Sequence, residues 1–240
     1  MANIAGGERQ DQERVRAGYD AVADAYVERV HDELRHKPLD RALLAAFAEQ
    51  VQAENGAHAA VCDMGTGPGH VGAFLAERGV TVTGIDLSPA MIERARALHP
   101  EMTFEVGTMT GLHVADHRYN GMVAFYSIIH LTTDAEVRIA LREFHRVVAG
   151  NGLLLVAVHL GERGDATVHA DDMLGVSVDM DFRYFDPDRL EAEISSSGFV
   201  VEARLVRAPY KDVEVQTTRA YLLARKIGET PPGKTPPGKT

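Results

Sequence analysis

The chain reads as an α/β protein built on a mostly parallel sheet, and three observations predict this. An apolar run, Ala59 to Cys62, opens into a glycine loop at Gly65, Gly67 and Gly69 and then into a helix-like run from Val71 to Arg78. A second run, Val80 to Ile85, ends in an acid, Asp86, 17 residues beyond Gly69. Past that point helical and strand-like periods alternate almost to the carboxyl terminus, as they do in chains of βα units. The first two observations together describe half of a nucleotide-binding unit. Glycines let a ligand approach the main chain, and the acid is placed to accept hydrogen bonds from ribose hydroxyls.

Composition bounds the remaining choices. With 240 residues, 45% of them hydrophobic, and no apolar run of eighteen or more, one domain with a large core and no membrane span is expected. A formal net charge of -10 argues against nucleic acid as a partner, because such surfaces carry a basic footprint. Cys62 is the only cysteine, so no intrachain disulfide can form, and its place in the first strand predicts core packing. The polar start, Met-Ala-Asn-Ile-Ala-Gly-Gly-Glu-Arg-Gln, does not read as a signal peptide, and a cytoplasmic protein is expected.

Taken in order, Val15, Tyr19, Val22, Tyr26 and Val30 recur at spacings of three and four, one stripe of an amphipathic helix from about Asp11 to Val30. Pro38 opens a second helix, Leu39 to about Gln52, with Leu43, Leu44 and Phe47 facing inward. After the glycine-loop unit, Ser88-Pro89 caps a helix to about Leu98. Met102 to Val106 is a short third strand, and Gly121 to Tyr126 a fourth. Asp134 to Val147 is an amphipathic helix, Gly150-Asn151-Gly152 a turn, and Leu153 to Val158 the fifth strand. His159 to Asp181 shows no sustained period and is expected to be a long loop. A helix, Pro187 to Ser196, and strands at Phe199 to Val206 and Thr217 to Ala224 finish the pattern.

Asp63 ahead of Gly65-Thr66-Gly67-Pro68-Gly69, with Asp86 followed by Leu-Ser-x-x-Met, resembles the class I S-adenosylmethionine-dependent methyltransferases from about Tyr19 to Arg225. The resemblance implies a Rossmann-like seven-stranded α/β sheet in the order 3-2-1-4-5-7-6 with its last strand antiparallel. It also implies an amino-terminal helical lid within residues 1–52 and a core at 53–226 with a substrate-cap insert at about 159–181. S-adenosylmethionine becomes the expected cofactor and S-adenosylhomocysteine the product. Contacts are expected at Asp63, Gly65, Thr66, Gly67, Gly69, His70, Asp86, Leu87, Ser88, Met91, Thr108, Met109, Phe125 and Tyr126. The lid resemblance rests on Tyr19-Asp20-x-x-Ala23-x-x-Tyr26. One departure stands out: where family members place an acid for the adenine amino group, this chain has Thr108 after Gly107, and a neutral hydroxyl makes a weaker bond there.

Gly67-Pro68-Gly69-His70-Val71-Gly72 also satisfies the Gly-x-Gly-x-x-Gly pattern of NAD(P)-dependent oxidoreductases. The register is wrong for it, since Gly72 falls inside the helix. A non-enzymatic S-adenosylmethionine-binding regulator is the alternative of a different class. Two P-loop matches in the tail, 228–235 and 233–240, place Pro-Pro-Gly where backbone N–H groups and a helix are needed. The tail from 227 to 240 is therefore expected to be a disordered repeat.

For the chemistry, Phe125, Tyr126, Ser127 and His130 follow the fourth strand, whose carboxyl end faces the ligand crevice of an open sheet. The segment lacks the Asn-Pro-Pro-Tyr type of sequence found in enzymes that methylate nucleobase amino groups, so a small-molecule oxygen, nitrogen or sulfur nucleophile is expected, with a place in secondary metabolism. His130 is the expected general base, at an ordinary pKa of about 6.5. Tyr126, Tyr19 and Tyr26 are expected to orient the acceptor, and His159 and His169 are weaker candidates by position. His169, Asp171, Asp172, Asp179 and Asp181 read as a solvated acidic loop, with no metal expected.

Overall fold

The structure, a computed structural model, describes residues 2–228, with side chains from residue 10 onward. The repeat expected to be disordered lies outside the described residues from position 229. Helix α1 (Ala2–Val30) is followed by a short 3₁₀ turn (Glu33–His36), α2 (Pro38–Asn55), β1 (Ala60–Met64), α3 (His70–Ala76), β2 (Thr81–Asp86), α4 (Pro89–Leu98) and β3 (Thr103–Val106). The second half runs β4 (Tyr119–Phe125), a 3₁₀ turn (Ile128–His130), α5 (Asp134–Val147), β5 (Val148–His159), β6 (Ala166–Met173), β7 (Val176–Tyr184), α6 (Pro187–Ser196), β8 (Phe199–Arg207) and β9 (Arg219–Lys226). Seven strands form one sheet in the order β3-β2-β1-β4-β5-β9-β8. Strand β9 runs antiparallel to both neighbours, and the pairs from β3 to β5 are parallel. Counted without the hairpin β6–β7, this is the expected 3-2-1-4-5-7-6 sheet.

Helices cover both faces, which is why the central strands read as unbroken apolar runs. Cys62, Met64, Met122, Ala124, Leu154 and Val156 point to the face packed by Val137, Leu141 and Phe144 of α5 and Leu190 and Ile194 of α6. Their sequence neighbours Val61, Val123, Phe125, Leu153 and Leu155 point the other way, onto Leu44, Phe47 and Val51 of α2 and Leu75 of α3. The Cys62 side chain is fully buried in the first of these cores. A capping box, Thr133 with Glu136, starts α5, and the Ser88 hydroxyl accepts from the Met91 N–H at the start of α4.

Most boundaries differ from the sequence-based expectation by a few residues; β5 begins at Val148, so the expected turn Gly150-Asn151-Gly152 lies within it, and the insert differs in kind. Helix α1 begins well before Asp11, α2 continues to Asn55, β4 begins at Tyr119, and the last strand starts at Arg219 rather than Thr217. The insert is not a loop: β6 and β7 form a separate antiparallel hairpin. Val176, Val178, Met180 and Phe182 alternate along β7, and Val178 and Met180 bury against Val22 and Ala23 of α1 and Met91 of α4. Period-two alternation over those residues is the signal that the flanking, largely exposed β6 conceals. Gly18 brings α1 close to β7, since a Cβ there would stand 2.5 Å from Met180 Sδ. Among the described residues no helix is long and apolar enough to cross a membrane.

Candidate functional site

The carboxyl ends of β1, β2, β3 and β4 and the inner face of α1 enclose a cleft of about 1080 Å³, counted out to its open mouth. Strand β1 ends at Asp63 and Met64, and the chain then needs to turn sharply into α3. Gly65, Gly67 and Gly69 supply this with positive φ angles of 70°, 52° and 87°, a region side chains avoid. The buried Asp63 carboxylate accepts from Thr66 Oγ1 at 2.6 Å, pinning the loop, while burial raises its pKa against that bond. At Gly67 a Cβ would meet nothing nearer than Tyr26 Cε1 at 3.8 Å, so its main chain is open to a ligand. Gly69 behaves differently. A Cβ there would stand 2.9 Å from Phe104, and the residue does not line the cleft, so the contact expected of it is corrected to a packing role.

Strand β2 ends at Asp86, whose Oδ2 accepts from the Gly67 N–H at 2.8 Å and Oδ1 from the Ser88 N–H at 2.9 Å. Each oxygen keeps a lone pair for a further donor. Burial raises its pKa to about 6, against the hydrogen bonds from Ser88 and Gly67. Two polar atoms in the cleft wall are buried without a partner, Ser127 Oγ and His70 Nδ1, the condition of groups built to meet a ligand. Gly72, the third glycine of the rival pattern, lies inside α3, where a Cβ would stand 2.9 Å from Met102 and 3.2 Å from Asp63. It serves close packing of helix on sheet.

Apart from Gly69 and the weaker base candidates His159 and His169, every residue named above as a contact or catalytic candidate lines the cleft. Several do so with their polar atoms already engaged. The Ser88 hydroxyl donates to Asp20 of α1 at 2.6 Å. Tyr126 has a positive φ of 56°, and its hydroxyl lies 2.7 Å from the Tyr221 hydroxyl and donates to Asp40, so its ring faces the cleft while its phenol is turned into the protein. This removes it from the orienting role expected above. Tyr19 and Tyr26 do share a face, with ring centroids 5.6 Å apart edge to face. The Tyr19 hydroxyl lies 2.8 Å from His130 Nε2, and His130 Nδ1 lies 3.3 Å from the Asp181 carbonyl. The carbonyl can only accept, so Nδ1 carries the proton and Nε2 accepts from Tyr19. Burial lowers the His130 pKa to about 4, well below the ordinary value expected from its sequence position. His159 is likewise lowered, to about 3, by burial and by Arg219 and Lys37, and its Nδ1 lies 2.7 Å from Thr217 Oγ1. His169 sits on the exposed hairpin, 2.9 Å from Asp181 Oδ1, and does not reach the cleft.

The structure adds residues that sequence reasoning did not single out. Gln12 continues the stripe of Val15, Tyr19 and Tyr26 toward the amino terminus and lines the cleft with Val15 and Arg16; the three-and-four spacing carried that signal. Glu33, in the 3₁₀ turn, had none. Its Oε1 lies 3.3 Å from His70 Nε2 and its Oε2 accepts from Lys37 at 2.7 Å, and these partners hold its pKa at about 2 despite burial.

Next to the cleft, at the β5–β9–β8 end of the same edge, lies a buried ionic cluster. Asp40, fully buried, accepts from Arg207 Nη2 at 2.8 Å and from the Tyr221 hydroxyl at 2.9 Å. Arg207 also donates through both terminal nitrogens to Glu214, and Arg219 Nε lies 3.2 Å from Glu214.

Residues 61–152 match the family model of the methyltransferase domain. A demethylmenaquinone methyltransferase of Chlorobaculum parvum is 31% identical over 111 residues, 46% of this chain and 45% of the relative. A malonyl-[acyl-carrier protein] O-methyltransferase of Halorhodospira halophila is 28% identical over 66% of this chain and 51% of its own. The chain thus spans about half the length of the curated relatives it matches. Among solved structures, magnesium protoporphyrin IX methyltransferase from Synechocystis, with S-adenosylmethionine bound, has a TM-score of 0.66 at 16% identity over 90% of this chain and 97% of that one. The 1,6-didemethyltoxoflavin-N1-methyltransferase of Burkholderia thailandensis, with S-adenosylhomocysteine bound, gives 0.61 at 19% over 86% and 88%. Residues 61–152 thus match a methyltransferase domain, and they lie in a sheet whose strand order is that of the class I methyltransferase fold.

Proposed function

We propose that the protein binds S-adenosylmethionine in this cleft and transfers its methyl group to an oxygen, nitrogen or sulfur atom of a small molecule. The observation that carries the reading is the charge of the wall. Five carboxylates line the cleft, Asp11, Glu33, Asp63, Asp86 and Glu136, against one guanidinium, Arg16. Two of them, Glu33 and Asp63, stand beside the amino-terminal end of α3 at the glycine loop, where a dinucleotide would have to bring its pyrophosphate. Such a wall repels a diphosphate and suits a ligand with a sulfonium and an ammonium group. Asp86 fits the ribose hydroxyls, the open main chain at Gly67 lets the ligand lie against the loop, and Ser127 Oγ and His70 Nδ1 are two buried partners for its polar end. A small acceptor is supported by the covering of the cleft by α1, against which the hairpin packs, and by the acceptors named for the solved relatives, a didemethyltoxoflavin and a porphyrin.

When bound, the sulfonium supplies an activated methyl group, so the protein's part is chiefly placement of the acceptor, worth on the order of 7 to 11 kcal/mol at its ideal. His130, neutral above pH 4, offers Nε2 as the proton acceptor, and the Tyr19 hydroxyl now bonded there is the group through which, or in place of which, an acceptor proton reaches it. Titration calorimetry with S-adenosylhomocysteine and, separately, with NAD tests the cofactor. Binding of the first alone is expected; binding of NAD alone overturns the proposal. Turnover of S-adenosylmethionine against a metabolite panel then separates an enzyme from a regulator that only binds the cofactor.

A further inference from the structure

In this cleft the ribose partner Asp86 ends β2, and Ser127 and the glycine loop lie toward β4, so a bound adenine falls on the opposite side, against the end of β3. That wall is Gly107, Thr108 and Met109, closed from above by Gln12 of α1. Adenine presents a 6-amino group that can only donate, and an unpaired buried donor is costly. The obvious acceptor, Thr108 Oγ1, is already engaged with Thr110: it accepts from the Thr110 N–H at 3.3 Å and lies 3.0 Å from the Thr110 hydroxyl. Thr110 in turn accepts from Gln12 Nε2 at 2.7 Å, across 98 residues of sequence. This bond fixes the end of α1 to the β3–β4 turn and leaves Oε1 as the atom of the Gln12 amide not used in it. Asp11 lines the same cleft, but its carboxylate is 3.2 Å from Arg14, which reaches out to Asp179 of β7.

We infer that Gln12 Oε1 accepts the hydrogen bond of the adenine 6-amino group, so that the lid helix, rather than the loop after β3, reads the base. The inference rests on the proposed cofactor. It makes the lid part of base recognition and couples its docking on Thr110 to the identity of the nucleobase.

The test is a cycle of two ligands and three proteins read by calorimetry on the full chain: S-adenosylhomocysteine and its analogue with hydrogen in place of the 6-amino group, against the wild type, Gln12→Ala and Thr108→Val. The wild type is expected to prefer the amino ligand roughly three- to tenfold, the range of one neutral hydrogen bond. In Gln12→Ala the preference should collapse to about one; any loss of lid docking on Thr110 weakens both ligands alike and leaves the ratio as the readout, and binding of the 6-hydrogen analogue reports that the variant is folded. Thr108→Val should lose less of the preference than Gln12→Ala. A preference kept in Gln12→Ala, or lost more fully in Thr108→Val, overturns the inference and leaves the cofactor assignment standing. Failure of the wild type to bind either ligand overturns both.

Discussion

At the β1–β4 end of the sheet's carboxyl edge, Ser127 Oγ and His70 Nδ1 are buried without partners, and the Asp86 carboxylate is held at a pKa of about 6 by burial. A short way along the same edge, Asp40, Arg207, Glu214 and Tyr221 are as deeply buried, and they satisfy one another; even Arg219 Nε, which makes no hydrogen bond of good geometry, has Glu214 at 3.2 Å. Both regions concentrate charge in the interior. In one the charges are spent on each other, and in the other they are kept waiting. Tyr126 joins the two, with its ring in the cleft wall and its hydroxyl in the cluster. Completeness of the hydrogen bonding, rather than charge or burial, therefore distinguishes a structural polar cluster from one prepared for a ligand.

The strongest test of that contrast is to remove one charge from the satisfied cluster. Arg207→Met leaves Asp40 and Glu214 buried without their main partner and is expected to cost about 3 to 5 kcal/mol of unfolding free energy in a denaturant titration. Affinity for S-adenosylhomocysteine should stay within about twofold; a large loss would show that the cluster reaches the cleft through Tyr126. In the waiting region the largest effect is expected in turnover. His130→Ala should slow methyl transfer roughly 100-fold, the low end for a general base because its pKa is depressed, with product affinity nearly intact. Full activity of that variant from pH 6 to 9 would assign catalysis to positioning alone.

Asp86→Asn should weaken S-adenosylhomocysteine binding about 10- to 100-fold, the loss of hydrogen bonds to a charged acceptor, without lowering stability at pH 7. A group whose folded pKa is raised is costly to keep ionised, so its removal relieves the protein at neutral pH. The same raised pKa sets a pH dependence. The ribose hydroxyls require the carboxylate as acceptor, and below pH 6 Asp86 must first lose a proton. Affinity is therefore expected to be flat above pH 7 and to fall about tenfold by pH 5, and Asp86→Asn should abolish that slope. Arg14→Ala, which cuts the ion pairs from α1 to Asp179 and Asp181 on the hairpin, should change stability by less than about 1 kcal/mol, because these groups are partly solvated.

How far the molecule was legible in its sequence follows the range of the interactions. Asp63, the glycine loop and Asp86 act through neighbours a few residues away, and their spacing alone placed them at the cleft. The strand order was legible because the family resemblance covers most of the chain. The bond of Gln12 to Thr110, the place of Glu33 and the occupied hydroxyl of Tyr126 were not, since each depends on a partner brought in by the tertiary fold: Thr110, His70, and Tyr221 with Asp40. The low pKa of His130 belongs to the same class, because α1 and β7 close around it. The hairpin is a different case. Alternation was present from Val176 to Phe182, but the exposed residues of β6 carry no pattern to pair with it.

Cys62 gives the protein an internal clock. Its thiol is the only one in the chain, lies fully buried in the central strand beside Asp63, and has its pKa raised by that burial. An alkylating reagent can reach it only when β1 separates from the sheet, so the labelling rate reports how often the centre of the fold opens, without any introduced probe. A ligand that bridges the ends of β1 and β2 must leave before that opening. Labelling should slow by the factor one plus the ratio of ligand concentration to its Kd, and the protein would record its own occupancy in the lifetime of a single sulfur.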